Sequence, residues 1–235
     1  MKSFTKKVAM VKQNAMEKMG KSESHADNDA TKETKEKLRV IKTEYNAIYT
    51  TGKLHCQETE KSVQQGVQFG EALNNFGSAF MGDEQIADIL KRMGLQIKAV
   101  EQARQTCNNN SMTSLVTPVG KFQDTEIKRA REAKHKQDAI RLRYDTHLEK
   151  LAEAKKKNDA NSLKVKTIEQ ECNDIKEEYD VVNREFNEIM EHLNQEMNKQ
   201  LVAELREFAL QQLSFYKQAS ALWAEADEIL CNLPA

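Results

Sequence analysis

The chain has 235 residues, of which 31% are charged and 6% aromatic, with only eight Gly and two Pro. So few aromatic side chains exclude a single large spherical core, and the mixture is that of long helices or a coiled coil. A formal net charge of −1 excludes attraction to nucleic acid by bulk charge.

The charge is nevertheless segregated. Residues 1–21 carry six lysines against the lone Glu17, residues 121–157 are basic, and residues 169–207 are acidic. An anionic partner would therefore meet local faces. Cys56, Cys107, Cys172 and Cys231 are widely spaced with no CxxC pair, the usage of reduced thiols in a cytoplasmic protein. No apolar run approaches the roughly 20 residues of a membrane span, and the N-terminus lacks the apolar core of a secretory signal.

In chain order, residues 1–21 come first. Phe4, Val8, Val11, Ala15 and Met19 recur at helical spacing, while Lys2, Lys6, Lys7, Lys12 and Lys18 fill the other side. An isolated helix this short is marginal in water, and a membrane interface would order it by burying the Phe4 side. A basic tail, or an extension of the first long helix, is the plainer reading of the same residues. Residues 22–31 are polar, rich in helix-capping types, and read as a linker.

A first long helix is expected over about 30–107. Its pattern begins at Leu38, Ile41, Tyr45 and Ile48 and resumes through Val63, Leu73, Phe76 and Phe80. Each glycine inside a helix costs about 1 kcal/mol of propensity, so a tertiary reason is expected for those found here. Gly66 and Gly70, one turn apart, suit the close approach of another helix, and Gly82-Asp83 suits a bend. The pattern stops in the polar run from Cys107 to Ser114. Thr117-Pro118 then reads as an N-cap with proline in the first helical position.

A second helix is expected over about 118–158, with Ile140, Tyr144, Leu148 and Leu151 at helical spacing. It ends in a basic turn, Lys155-Lys156-Lys157-Asn158-Asp159, followed by Lys164 and Lys166. The third helix is expected over about 161–231. Ile168, Cys172, Ile175, Tyr179, Val182, Phe186, Ile189 and Leu193 alternate steps of four and three, the seam of a left-handed coil. Met197, Leu201 and Leu205 then follow at steps of four, so the seam drifts. The expected fold is all-α, an elongated, kinked three-helix antiparallel coiled coil.

Near the C-terminus the apolar residues become denser than a narrow seam requires. Leu205, Phe208, Leu213, Phe215, Tyr216 and Trp223 lead this group. A second copy of the chain would bury the excess, so a homodimer is expected through these residues. The competing reading is a locally thicker core within one chain.

Catalytic chemistry is not expected. There is no Gly-rich phosphate loop, no GxSxG elbow and no metal-spaced His/Cys cluster, so neither cofactor nor metal is expected. His55 and Cys56 are adjacent, and neighbours on a helix diverge in direction.

In several stretches the chain resembles the N-BAR domain of the amphiphysin, endophilin and Rvs type. Phe4-Thr5-Lys6-Lys7-Val8 resembles the start of that family's membrane-inserting helix. Lys18-Met19-Gly20-Lys21 resembles its entry into the first core helix. Pro118-Val119-Gly120-Lys121-Phe122 resembles the start of its second helix. Tyr144-Asp145-Thr146-His147-Leu148-Glu149-Lys150-Leu151, followed by Lys155-Lys156-Lys157, resembles the end of that helix and its basic tip. Leu213-Ser214-Phe215-Tyr216 resembles the third-helix segment at its dimer interface.

The resemblance implies a BAR domain over 22–233 preceded by an inserting helix over 1–21. It implies a crescent-shaped homodimer whose tips and concave face bind anionic membranes bearing phosphoinositides or phosphatidylserine. It also implies curvature sensing or generation in endocytosis, phagocytosis or vesicle trafficking, with the actin or endocytic machinery as partners. Tip binding falls on Lys155, Lys156 and Lys157, with Lys164 and Lys166 across the turn. The inserting helix would use Phe4, Lys6, Lys7, Val8, Val11 and Lys12. Concave-face candidates are Lys128, Arg129, Lys134, Lys136 and Arg141. The chain departs from the family here, because Gln137, Asp138, Ala139 and Ile140 stand where a dense cationic cluster is usual. The rival expectation is a coiled-coil scaffold that binds proteins and no lipid.

Overall fold

The computed structural model describes residues 27–231. The segment over 1–21 lies outside the described residues, with its expected membrane-facing side chains Phe4, Lys6, Lys7, Val8, Val11 and Lys12. The described elements are helices: α1 (Asp29–Ala79), α2 (Glu84–Ser111), α3 (Thr117–Phe122), α4 (Lys128–Lys157) and α5 (Leu163–Cys231). π-helical turns at Met112–Val116 and Gln123–Ile127 join α2 to α3 and α3 to α4. The chain is thus helical without interruption from Glu84 to Lys157, and no strand occurs among the described residues.

This corrects the expected helix boundaries. The first break falls at Phe80–Asp83, at the Gly82-Asp83 step, and not in the Asn-rich run after Cys107. Asp83 caps α2, its carboxylate accepting from the Gln85 N–H at 2.7 Å. Asparagine favours turns because its side chain competes for backbone groups, but here those groups bond outward. Asn108 Nδ2 donates to the Cys56 carbonyl at 2.9 Å, and Asn110 Nδ2 donates to Gln211 Oε1 at 2.8 Å. Asn108 and Asn110 thus make polar contacts between helices. Nor does Pro118 follow a break: it is the second residue of α3, which continues directly from the π-helical turn. Proline inside a helix loses one bond and clashes with the carbonyl four residues back. The widened turn directly before it relieves that clash, and the Thr117 N–H reaches back five residues to the Met112 carbonyl.

The chain packs as two units. Among the described residues, the first holds 27–43 and 123–197 and the second holds 44–122 and 198–231.

In the first unit, α4 and α5 run antiparallel. Ion pairs follow one another in order along the two helices. Lys155 meets Glu169 at 2.8 Å, Arg143 meets Glu178 at 2.8 Å and Lys136 meets Glu185 at 2.7 Å. The expected coiled-coil seam is realised on α5, where Cys172, Ile175, Tyr179, Val182, Phe186 and Leu193 are buried. Ile168 and Ile189 are half-buried at its margin.

In the second unit, α1 and α2 form an antiparallel hairpin closed by glycine. A Cβ added at Gly70 would lie 2.6 Å from the Gly94 carbonyl oxygen, and one added at Gly94 would collide with the Gly70 carbonyl. Backbone therefore meets backbone, which only glycine allows. Along the same unit, α5 bonds back to α2. Gln96 Nε2 donates to the Leu222 carbonyl, Cys107 Sγ lies 3.6 Å from the Gln211 carbonyl, and Gln212 Nε2 donates to Ser111 Oγ at 3.1 Å. Tyr45 stacks on Phe122 with ring centroids 5.1 Å apart. Burial, with the Glu204 carboxylate nearby, pushes the Tyr45 hydroxyl up to about 12.

Candidate functional site

The turn between α4 and α5 is built by its polar residues. Asn158 leaves the helix in an extended conformation, its N–H and its Nδ2 both donating to the Ala154 carbonyl. Asp159 accepts from the Asn161 N–H at 2.7 Å, and the Ser162 N–H returns to the Asp159 carbonyl at 3.0 Å. Ser162 then caps α5, its Oγ accepting from the Val165 N–H at 3.4 Å. Beneath the turn, Ala154 and Val165 are buried and close the core.

Around that turn Lys155, Lys156, Lys157, Lys164 and Lys166 are all exposed. Over residues 153–169 these five lysines face three carboxylates, Glu153, Asp159 and Glu169. Lys155 pairs with Glu169 at 2.8 Å and Lys157 with Glu153 at 3.7 Å. Lys156, Lys164 and Lys166 have no carboxylate partner among the described residues. The last-turn lysines also complement the dipole at the C-terminal end of α4. That structural role leaves the Lys156 ammonium group in solvent, and Lys155 and Lys157 in exposed ion pairs.

The expected concave-face residues do not form one group. Lys128 and Arg129 are exposed. Lys134 is held by Asp138 at 2.5 Å and Lys136 by Glu185 at 2.7 Å. Arg129 and Lys136 line a shallow groove of about 250 Å³ together with Glu132 and Glu185, so its charge is balanced.

Arg141 is a correction. It is only 4% exposed and cannot reach a lipid head group. Its Nη1 lies 3.4 Å from Asp145, and its Nε lies 3.6 Å from Asp27. The same buried cluster includes Lys35, which bridges Asp27 at 2.5 Å and Asp138 at 2.6 Å. Asp27 also accepts from Gln137 Nε2 at 2.8 Å and from the Tyr179 hydroxyl at 3.0 Å. Burial alone would raise the Asp138 carboxyl, but Lys35 and Lys134 outweigh it and hold the group below its ordinary value. Burial, and then the neighbouring Asp27, push the Tyr179 hydroxyl up. Gln137 and Asp138, the departure from the family's cationic stretch, are thus members of an internal polar cluster. The spacing Asp138, Arg141, Asp145 was the signal in the sequence, since residues three and four apart share a helix face.

The expected dimer residues divide in two. Leu205, Leu213, Tyr216 and Trp223 are exposed on α5, whereas Phe208 and Phe215 are half-buried within the second unit. Phe215 stacks beneath the Arg104 guanidinium, 5.7 Å from the ring centroid. Phe69, Phe76 and Leu95 of the same unit are also exposed.

Among the described residues, no group of His, Cys, Asp or Glu is arranged to hold a metal ion. No described helix is long and apolar enough to cross a membrane.

Comparison with known proteins accords with this architecture. The chain is 25% identical over 150 residues to the Rho GTPase-activating protein gacP of Dictyostelium discoideum, across 62% of this chain and 26% of that protein. It spans about a quarter of the length of this curated relative. Among solved structures, a BAR protein from Galdieria sulphuraria superposes with a TM-score of 0.69 at 15% identity, covering 88% of this chain and 100% of that one. The N-terminal I-BAR domain of D. discoideum IBARa gives 0.53 at 14% identity, covering 88% of this chain and 94% of that one. At these identities the two structures show the fold. The family model of the BAR domain matches residues 4–230, and the chain belongs to the BAR domain family.

Proposed function

We propose that the chain is a peripheral membrane-binding module of the N-BAR type that acts as a homodimer without chemistry of its own. BAR domains generally dimerise and bind membranes, sensing or generating curvature. The observation that carries the reading for this chain is the α4–α5 turn. Its lysines exceed the local carboxylates, and Lys156, Lys164 and Lys166 stand unpaired in solvent. Each lysine near an anionic bilayer contributes about 1 kcal/mol. One turn alone would bind weakly. A dimer presents two, and the second engages at a high effective concentration.

On this reading, phosphatidylserine or phosphoinositide head groups are the ligands, and Phe4, Val8 and Val11 enter the bilayer once the lysines have docked. The setting is the cytoplasmic side of membranes undergoing endocytosis, phagocytosis or vesicle trafficking, with the actin or endocytic machinery as partners.

Reversing Lys155, Lys156 and Lys157 to glutamate together tests the assignment. The change removes about 3 kcal/mol of attraction at each turn, so affinity for phosphatidylserine vesicles is expected to fall by about a hundredfold or more and cosedimentation to drop to background. Raising salt from about 0.1 M to about 1 M shortens the screening length from about 10 Å to about 3 Å and is expected to weaken wild-type binding likewise. Undiminished pelleting of the triple variant would reject the turn as the lipid site and favour a protein-binding scaffold.

A further inference from the structure

We propose that Leu163 is a membrane-inserting side chain seated among the lysines of the α4–α5 turn. The inference rests on the reading of the chain as a membrane-binding module and assigns that site a second, apolar mode of contact.

Leu163 is 82% exposed, far more than the other large apolar residues left exposed in the first unit, Val40 and Val181 at 43% and 50%. It is the first residue of α5, directly after the capping Ser162. The turn needs no apolar side chain there, because Ala154 and Val165 already close the core, at 6% and 0% exposure. Nor does it drift freely. The hydrogen bonds from Asn158 to Ser162 fix the backbone leading into it, so the leucine is presented in a set position.

Its surroundings identify the occupant. Lys164 follows it directly and Lys166 lies one turn on, both exposed and without a carboxylate partner among the described residues. Lys156, in the last turn of α4 on the other side of the turn, is likewise exposed and without a carboxylate partner among the described residues. An exposed apolar group in a turn flanked by exposed cations matches a surface with an anionic outer layer over an apolar inner one. An anionic bilayer has that layering, with phosphates above acyl chains. The lysine stems can lie along the interface with their ammonium groups at the phosphates while the leucine passes below them.

The experiment compares the full chain with Leu163→Ser in binding to phosphatidylserine vesicles across a salt series. The substitution alters no charge. Affinity is therefore expected to fall about tenfold at every salt concentration, with the slope of log affinity against log salt unchanged. Equal affinity of the two proteins across the series would overturn the proposal. Leu163→Trp supplies a second reading. Vesicles with brominated acyl chains are expected to quench its added fluorescence beyond the baseline that Trp223 sets in the unsubstituted chain. Vesicle-bound Leu163→Trp with no added quenching would place the residue outside the acyl layer and reject insertion, as would docking onto an acidic protein in place of lipid. If the unsubstituted chain fails to bind anionic vesicles, the membrane reading itself falls. If it binds and Leu163→Ser matches it, only the leucine assignment does.

Discussion

Gly94→Val is expected to destabilise the second unit by about 3 kcal/mol or more, measured as a shift in the urea or thermal unfolding midpoint. The reason lies in what a new side chain would meet. A Cβ at Gly94 collides with the Gly70 carbonyl oxygen and would lie 2.8 Å from the backbone nitrogen of Asn74. Both obstacles are main chain of α1, which cannot rotate aside as a flexible side chain does. The contact is reciprocal, since a Cβ at Gly70 would lie 2.6 Å from the Gly94 carbonyl. The helices must separate, and the buried layer beside them, with Ile97 and Val100 on α2 and Val63 on α1, loses packing. Gly52→Ala is the control. Its Cβ would meet only a methyl of Val116, at 3.1 Å, and a change of less than about 1 kcal/mol is expected. An unchanged midpoint for Gly94→Val would contradict the close approach of α1 and α2.

The second large effect concerns assembly. Leu213→Glu is expected to convert the proposed dimer to single chains, read as a halving of mass in sedimentation equilibrium. Leu213 is 51% exposed in the single chain, so a charge there leaves the helix and the core of one chain intact. Exposed Leu205, Tyr216 and Trp223 lie on the same stretch of α5. In a two-fold interface each substitution acts twice. A central anchor contributes about 2 kcal/mol or more, so the two copies together cost about 4 kcal/mol. That weakens association about a thousandfold. Far-UV circular dichroism should stay the same. A variant of unchanged mass would move the interface elsewhere on the chain.

The legible parts of this fold were those governed by short-range repetition. The four-and-three alternation from Cys172 to Leu193 marks a seam because every member faces one partner, and α5 buries that seam. The Gly66 and Gly70 spacing announced a close helix approach, and Gly70 makes one with Gly94. The Lys155–Lys157 run with Asn158 and Asp159 marked a real turn.

What was not legible depends on partners far apart in sequence. Asn108 and Asn110 carry turn propensity, yet their amides bond to Cys56 and Gln211 and the helix continues. Pro118 carries the signal of a helix start, yet a π-helical turn before it accommodates the ring. Arg141 looked like one more cation on a basic face. Asp145, four residues along the same helix, was the local cue, but Asp27, more than a hundred residues away in sequence, is the distant partner that makes it an internal counter-ion. Leu163 was visible as a letter inside the turn. Its meaning appears once Ala154 and Val165 are seen to fill the core without it.

Flotation of the unsubstituted chain with vesicles of matched size tests the central claim most directly, one set carrying phosphatidylserine and the other only neutral lipid. The account predicts that the chain rises with the anionic vesicles at about 0.1 M salt, stays behind with the neutral ones, and is released as salt screens the lysines. A chain that remains in the dense fraction with both, or that rises equally with both, contradicts it.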